Sequence, residues 1–287
     1  MFAPSSAGAV IRLPDVPSLR ARIGTWREAG DTVALVPTMG ALHEGHLALV
    51  HRGRASCRRV VVSIFVNPTQ FGPNEDFSRY PRDPDRDLAL LAEAGADAAY
   101  LPDVAAMYAP GFATTVSVAS LTDVLCGPIR PGHFDGVATV VSKLLLQALP
   151  DRALFGEKDF QQLQVIRRAV RDLDIPVTIE GVPTVREADG LAMSSRNRYL
   201  SDDERRTAAV MHAVLREVAG AVRDGGEAAP ALTAGRARLE QAGFGPIQYL
   251  SVNDAESLAP VERATGPARV LAAAYLGGTR LIDNVPV

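Results

Sequence analysis

Short apolar runs alternate with amphipathic segments over the first 184 residues of the chain. The runs are rich in β-branched residues and predict buried strands, while apolar residues at helical spacing between them predict helices. The predicted strands are 32–36, 60–66, 98–101, 152–155 and 177–182. The predicted helices are 45–57, 84–94, 135–149 and 159–173. This alternation predicts an α/β fold with a doubly wound parallel sheet, helices on both of its faces, and a ligand beyond the carboxyl ends of the strands.

The pattern changes after Val185. Ser201 is followed three residues later by Glu204, which is the signature of a capping box at the start of a helix. The elements predicted in this part are helices 201–223 and 229–242 and strands 247–252 and 269–276. They indicate a smaller C-terminal α+β domain without the strand–helix alternation. We therefore expect two domains, 1–184 and 185–287.

The composition narrows the functional class. The 287 residues are 47% hydrophobic and 22% charged, which is ordinary for a globular protein. The net charge of −3 gives no global attraction to nucleic acid, and no uncharged run approaches the ~20 residues of a membrane span. Two distant cysteines, Cys57 and Cys126, make no disulfide framework, and the chain lacks the basic start of a signal peptide. We expect a cytoplasmic protein with neither a nucleic-acid nor a membrane partner.

A His-x-Gly-His motif, His43 to His46, lies at the turn from the first predicted strand into a helix. At such a turn the unpaired N–H groups and the positive end of the helix dipole favour a phosphate. Two imidazoles can donate hydrogen bonds to anionic oxygens, and Gly45 lets the main chain come close. The alternative is that one histidine only caps the helix and the other only faces solvent. Their pairing across a glycine at this turn favours nucleotide chemistry.

Polar side chains follow two other predicted strands. Asn67 and Gln70 come just after the strand at 60–66, where they either form an Asn-Pro turn or bind a small polar substrate. Gly156 and Lys158 follow the strand at 152–155 and lie directly before the helix at 159–173. An ammonium group at such a position is a natural partner for phosphate oxygens. The neighbouring Asp159 and Gln162 have the spacing of a helix cap and are open to a structural interpretation.

The last polar segment is Met193-Ser194-Ser195-Arg196, near the predicted domain boundary. Two hydroxyls and a guanidinium there are either a polar hinge or a phosphate clamp that closes over a nucleotide. The position favours the clamp. The sequence has no P-loop, no Gly-x-Gly-x-x-Gly after the first strand, no zinc-ligand spacing and no Gly-x-Ser-x-Gly elbow.

Together, residues 37–46, 65–70, 156–162 and 193–196 resemble the pantoate–β-alanine ligases, and the resemblance extends over about 32–284. It implies a two-step reaction. Pantoate and ATP give pantoyl adenylate and pyrophosphate, and β-alanine then displaces AMP to give pantothenate. The resemblance also implies a Rossmann-like nucleotide- and pantoate-binding domain, a smaller C-terminal lid domain and a homodimer.

The same resemblance implies roles for individual residues. The catalytic positions are His43, His46, Lys158, Ser194, Ser195 and Arg196. The other ATP-binding positions are Met39, Gly45, Gly156, Glu157, Asp159, Val185 and Met193. The pantoate-binding positions are Asn67, Gln70 and Gln162, and the Mg²⁺-binding position is Asp87. Arg86 interrupts the acidic residues that the family often places beside Asp87, and the alternative for this cluster is a helix start stabilised by the dipole.

Two other functions stay open at this stage. An adenylyltransferase that transfers AMP and stops would share the His-x-Gly-His motif but would not need paired Gln70 and Gln162 beside Asn67. A regulatory nucleotide-binding module would be expected to have lost catalytic groups, which are all present here. A fragment of a tRNA synthetase is disfavoured by the net charge and by the lack of a basic stripe.

Overall fold

The computed structural model describes residues 9–73 and 75–287, so residues 1–8 of the predicted first domain lie outside the described residues. Within the described part, six parallel strands form one sheet in the order β1-β4-β3-β2-β5-β6. These strands are β1 (Ile11–Leu13), β2 (Val33–Thr38), β3 (Arg59–Ile64), β4 (Ala98–Tyr100), β5 (Arg152–Gly156) and β6 (Thr178–Val182). The predicted parallel sheet is confirmed.

Helices α1 to α7 lie between these strands along the chain. They are α1 (Val16–Glu28), α2 (Glu44–Ser56), α3 (Pro84–Glu93), α4 (Val104–Met107), α5 (Cys126–Ile129), α6 (His133–Ala148) and α7 (Phe160–Asp172). Short 3₁₀ turns occupy Pro68–Gln70 and Glu157–Asp159. Of the helices in the described residues, none combines the length and the apolar character that crossing a membrane requires.

Both faces of the sheet are buried, which is why its central strands are continuously apolar. Residues 33–36 of β2 have 0% exposure, although successive side chains point to opposite faces. Ala34 and Val36 pack in a cluster with apolar residues of α2 and α3. Helix α6 also contacts β2. The alternation in the sequence therefore reflects a sheet covered by helices.

The strand order predicts a ligand-binding crevice at one point of the sheet. From β2 the chain proceeds to β3 on one side, while β5 pairs with β2 on the other. Ligands of open α/β sheets bind where the order reverses in this way, beyond the carboxyl ends of the strands. The His-x-Gly-His turn follows the end of β2, and β5 ends at Gly156, directly before Glu157. These are two of the predicted site segments.

The C-terminal part is an antiparallel α+β structure. Helices α8 (Asp202–Ala208), α9 (Val210–Arg223) and α10 (Ala228–Gln241) accompany strands β7 (Phe244–Asp254), β8 (Ala268–Leu276) and β9 (Thr279–Pro286). The strands form a three-stranded sheet in the order β7-β8-β9. Its core joins apolar residues of α9 and α10, such as Val214 and Leu239, to Val270 and Leu281 of the strands. The expected smaller α+β part is confirmed.

The chain divides into two compact units, which we call the first unit and the second unit. The first unit comprises the described residues up to Val118, with Arg130–Glu157 and Val165–Pro183. The second unit comprises Ala119–Ile129, Lys158–Gln164 and Thr184–Val287. Gln161 links the two short segments of the second unit, because its buried amide donates to the carbonyls of Leu121 and Val124 at 2.8 Å each. The predicted domains, 1–184 for nucleotide and pantoate binding and 185–287 as a lid, were assigned by function, and they stay a prediction.

Several elements differ from the predictions. The helix predicted at 201–223 is two helices, because the amide of Ala209 bonds to the carbonyl of Thr207 and interrupts the helical ladder. Strand β1 and helix α1 were not predicted, although Asp15 and Ser18 form a capping box at the start of α1. Strand β9 was also missed, because its buried positions include the polar residues Asp283 and Asn284, which break the apolar pattern.

Candidate active site

The two histidines of the His-x-Gly-His motif cap helix α2 in the first unit. His43 is the N-cap residue, and its Nδ1 accepts the main-chain N–H of Gly45 at 3.1 Å. Nδ1 of His46 accepts the main-chain N–H of His43 at 3.3 Å, and the two ring centroids lie 4.1 Å apart. Because Nδ1 of each ring is an acceptor, Nε2 carries the hydrogen in the neutral form. The capping interpretation and the functional interpretation are therefore compatible, since capping orients each Nε2–H as a donor.

The turn that leads into α2 is held by Asp87 of α3. Gly40 and Ala41 have φ values of +80° and +52°, a conformation that is unfavourable for a residue with a side chain. The Asp87 carboxylate accepts the main-chain N–H groups of Ala41 at 3.0 Å and Leu42 at 2.8 Å. A Cβ on Gly40 would lie 2.9 Å from Oδ2 of Asp87, so the carboxylate also requires glycine there.

These partners bear on the expected magnesium site. Asp87 is only 2% exposed, and each of its oxygens accepts a main-chain N–H. Burial raises the pKa of Asp87 above its ordinary value, although the N–H groups of Leu42 and Ala41 oppose this by favouring the charged form. Within the described part of the chain, no three His, Cys, Asp or Glu side chains are grouped to hold a metal. Asp87 thus fits a structural role better than a magnesium site, and its role as a metal ligand stays a prediction.

Asn67 and Gln70 occupy the 3₁₀ turn that follows β3. Asn67 is 1% exposed and uses its amide internally, donating to the carbonyl of Gly136 at 3.1 Å and to Oε1 of Gln70 at 3.2 Å. Its Oδ1 accepts the hydroxyl of Tyr108 at 2.8 Å. Gln70 is half-buried, and its Nε2 lies 3.0 Å from Sδ of Met39. The structure therefore brings three of the predicted residues together, with Asn67 buried beneath Gln70.

Residues at the start of α6 surround the main chain of Gln70 and were not predicted as site residues. His133 and Arg130 both approach the carbonyl of Gln70, and Arg130 forms an ion pair with Glu75. Burial raises the pKa of Glu75, but the hydrogen bonds and the charge of Arg130 outweigh it and lower that pKa below its ordinary value. The sequence places Arg130-Pro131-Gly132-His133 before a predicted helix, but nothing in it indicates that these side chains contact Gln70.

Gly156 ends β5, the neighbour of β2. A Cβ added there would have no described atom within 4 Å, so packing does not require a glycine. The space in front of this main chain is what close approach of a ligand needs. Glu157, the last residue of this segment in the first unit, begins the 3₁₀ turn that leads to α7.

Lys158, Asp159 and Gln162 belong to the second unit. The Lys158 side chain is 18% exposed, and its Nζ lies 4.0 Å from Oδ2 of Asp159. Its main-chain carbonyl accepts a hydrogen bond of 2.9 Å from Nδ2 of Asn284, a buried residue of β9. Gln162 is half-buried near the start of α7, whereas the adjacent Gln161 is buried and structural.

The segment from Val185 to Arg196 is a folded loop in the second unit. The N–H of Met193 donates to the carbonyl of Val185 at 3.0 Å, which brings these two predicted ATP positions together. Ser194 caps the 3₁₀ turn Ser195–Tyr199, and its Oγ accepts the N–H of Arg196 at 3.2 Å. The three predicted clamp residues Ser194, Ser195 and Arg196 are thus consecutive in one capped turn, and all are half-buried.

Ion pairs fix both sides of this loop. Arg186 forms two hydrogen bonds to the carboxylate of Asp283 at 2.7 and 2.9 Å, and it also donates to the carbonyl of Gly190 at 3.0 Å. Arg205 donates to Asp189 at 2.6 Å, and this bond lowers the pKa of Asp189 below its ordinary value. The polar residues of β9 therefore anchor the loop as well as the Lys158 turn.

Comparison with known proteins gives one consistent result. A profile of the Pantoate-beta-alanine ligase family matches residues 12–286. The chain is 59% identical over 283 residues to the pantothenate synthetase of Paramagnetospirillum magneticum, with 99% of each chain covered. A pantothenate synthetase structure from Thermus thermophilus matches with a TM-score of 0.91 and 49% identity, covering 96% of this chain and 99% of that one.

A second solved structure carries ligands. The pantoate-beta-alanine ligase from Francisella tularensis, complexed with beta-gamma ATP and β-alanine, matches with a TM-score of 0.82 and 32% identity. The match covers 96% of this chain and 97% of that one.

The role of Asp87 gives a stability prediction. Asp87→Asn preserves the size of the side chain but replaces one acceptor oxygen by a donor, so one buried main-chain N–H loses its partner. We expect the free energy of unfolding to fall by about 1–3 kcal/mol, measured by urea denaturation with Trp26 fluorescence. Asp85→Asn in the same helix is the control, because Asp85 is exposed, and it should cost at most about 0.5 kcal/mol. An unchanged midpoint for Asp87→Asn would contradict the assigned role.

Proposed function

The chain belongs to the pantoate-beta-alanine ligase family, whose members are enzymes that form a C–N bond, and from this we propose that it condenses pantoate with β-alanine through a pantoyl adenylate. In the first step ATP is consumed and pyrophosphate is released. In the second step pantothenate and AMP are formed.

The full-length family match carries this proposal, because it covers residues 12–286 and therefore both units. The placement of the capped histidines supports it, since His43 and His46 follow β2 at the point where the strand order of the sheet reverses. The ATP and β-alanine named for the Francisella tularensis ligase support the choice of these two substrates. The match over the whole chain also disfavours an adenylyltransferase that stops after AMP transfer.

The first step needs charge stabilisation more than it needs a base. A carboxylate is already ionised at neutral pH, so the pantoate carboxylate oxygen attacks the α-phosphorus directly and the bond to pyrophosphate breaks. An anion then approaches a polyanion, and negative charge increases on the leaving group. Oriented N–H donors and cations lower the barrier for such a step.

The second step forms the amide. The neutral amine of β-alanine attacks the acyl carbon of the mixed anhydride, loses a proton and displaces AMP. Since the adenylate is prone to hydrolysis, exclusion of water from the reacting groups favours the amine over solvent. No side-chain nucleophile is needed, which agrees with the lack of a nucleophile motif in the sequence.

We assign the groups as follows. The Nε2–H groups of His43 and His46 donate to the ATP phosphates, together with Lys158 and the capped turn of Ser194, Ser195 and Arg196. The remaining ATP contacts are made by Met39, Gly45, Gly156, Glu157, Asp159, Val185 and Met193. Gln70 and Gln162 bind pantoate, and Asn67 orients Gln70 by donating a hydrogen bond to its side chain.

Other parts of the proposal rest on the family resemblance. We propose that residues 1–184 bind nucleotide and pantoate, that residues 185–287 act as a lid, and that the protein is a cytoplasmic homodimer. Magnesium is expected to accompany ATP. Because the oxygens of Asp87 serve the main chain, we derive no step through a metal held by that residue.

The nucleotide product tests the function. With ATP, magnesium, pantoate and β-alanine, we expect AMP, pyrophosphate and pantothenate in equal amounts, resolved by anion-exchange chromatography. Omission of pantoate should abolish the turnover of ATP. Formation of ADP and phosphate would contradict the adenylate mechanism, and AMP formation that does not depend on pantoate would contradict the substrate assignment.

Lys158 is tested by its removal. The sequence contains two lysines, Lys143 and Lys158, so Lys143→Ala is a matched control. Lys158→Ala should reduce the rate of pyrophosphate release by about 100-fold or more, because a group that stabilises transition-state charge is lost. The melting temperature should stay near that of the wild type, since the ion pair of the Lys158 ammonium within the described residues is a long contact of 4.0 Å with Asp159. Near-wild-type turnover of Lys158→Ala would remove the residue from the mechanism.

Gln70 is tested by the selectivity of its effect. Gln70→Ala should raise the KM for pantoate by about tenfold or more, which corresponds to the loss of roughly one hydrogen bond. The KM for ATP should change less, because Gln70 acts on the nucleotide only through its contact with Met39. Equal increases in both KM values would indicate a structural role. Gln241→Ala, an exposed position at the end of α10, serves as the control.

A further inference from the structure

The main-chain carbonyl of Gln70 is held by two side chains that follow it by about sixty positions. Nδ1 of His133 lies 2.8 Å from this oxygen, and Nη2 of Arg130 donates to it at 3.4 Å. His133 is the first residue of α6, and both residues belong to the first unit together with Gln70. The shorter contact comes from the imidazole, so His133 is the principal partner.

The chemistry of the partners fixes the direction of each hydrogen bond. A carbonyl oxygen only accepts, so Nδ1 of His133 carries the hydrogen. A guanidinium only donates, so Nε2 of His133 accepts from Nη1 of Arg130 at 2.9 Å. The other edge of Arg130 donates to both oxygens of Glu75, with 2.6 Å between Nε and Oε1. Glu75, Arg130, His133 and Gln70 therefore form one ordered chain, which we call the Glu75 chain.

Close packing fixes the same turn independently. A Cβ on Gly136 would lie 2.5 Å from the main-chain oxygen of Thr69, so the first turn of α6 lies directly against the turn Pro68–Gln70. The carbonyl of Gly136 accepts from Asn67 in the same region. The start of α6 thus supports the Gln70 turn through its main chain and through the His133 side chain.

We infer that His133 is a positioning residue that sets the affinity for pantoate by holding the main chain of Gln70. This inference rests on the proposed role of Gln70 in binding pantoate. The Glu75 chain orients the imidazole, and the imidazole fixes the carbonyl of the residue whose side chain binds pantoate. Loss of the Nδ1–H donor allows that side chain to leave the geometry that pantoate requires.

Three substitutions of His133 separate its two hydrogen bonds. His133→Ala removes both. In His133→Asn the amide nitrogen is as many bonds from Cα as Nδ1 is, so the donor to Gln70 is kept. In His133→Gln the terminal amide corresponds to Nε2 instead, so the partner of Arg130 is kept and the donor to Gln70 is lost. His51→Ala, an exposed histidine of α2, is the control.

The expected result is a split between the Michaelis constants. His133→Ala and His133→Gln should raise the KM for pantoate about tenfold, and His133→Asn should restore it to within about twofold of wild type. The KM for ATP should match that of His51→Ala. An unchanged pantoate KM in His133→Ala would overturn the inference, and so would equal increases in the KM values for pantoate and ATP.

The double variant distinguishes this inference from the proposed function. If His133 acts through Gln70, Gln70→Ala combined with His133→Ala should have the pantoate KM of Gln70→Ala alone. Multiplied effects would show that His133 acts elsewhere and would overturn the inference while leaving the role of Gln70 intact. If Gln70→Ala itself leaves the pantoate KM unchanged, the proposed pantoate site fails, and the inference fails with it.

Discussion

The turn between β2 and α2 depends on one buried carboxylate. Ala41 adopts a left-handed conformation that costs roughly 1–2 kcal/mol for a residue with a side chain. Asp87 offsets that cost by accepting the N–H groups of Ala41 and Leu42, each a charge-assisted hydrogen bond. Because this turn determines where α2 begins, it also determines that His43 is the N-cap and that both imidazoles accept through Nδ1. The orientation of both imidazoles therefore follows from a residue of a different helix.

At the other proposed ligand-binding turns, too, a polar residue distant in sequence holds the main chain beside a proposed binding side chain. Asn284 holds the main-chain carbonyl of Lys158, and His133 holds that of Gln70. Asp87 and Asn284 are almost completely buried, at 2% and 3% exposure, as buried polar groups with hydrogen-bond partners can be. Lys158 and Gln70 are half-buried. Each unit thus uses polar residues distant in sequence to fix a main chain and leaves the proposed binding side chains partly accessible.

The sheet and the His-x-Gly-His turn could be predicted because their signals are local: apolar periodicity for the strands, and a strand-to-helix junction for the motif. The supporting residues could not be predicted, because their partners lie far along the chain. Nothing local distinguishes the buried, structural Gln161 from the half-buried Gln162 beside it. For the same reason the hydrogen bonds of Asp87 to the main chain before α2 were not predicted, and β9 was missed because it buries Asp283. Apolar periodicity cannot identify a buried position that is occupied by a polar residue.

The proposed chemistry depends on a pantoyl adenylate that forms before β-alanine reacts. The most direct measurement is pyrophosphate release in a single turnover with ATP, magnesium and pantoate alone, followed by addition of β-alanine. We expect a burst of about one pyrophosphate per active site, and then steady formation of AMP and pantothenate once the amine is present. No burst with pantoate alone, with pyrophosphate appearing only after β-alanine is added, would contradict the two-step mechanism.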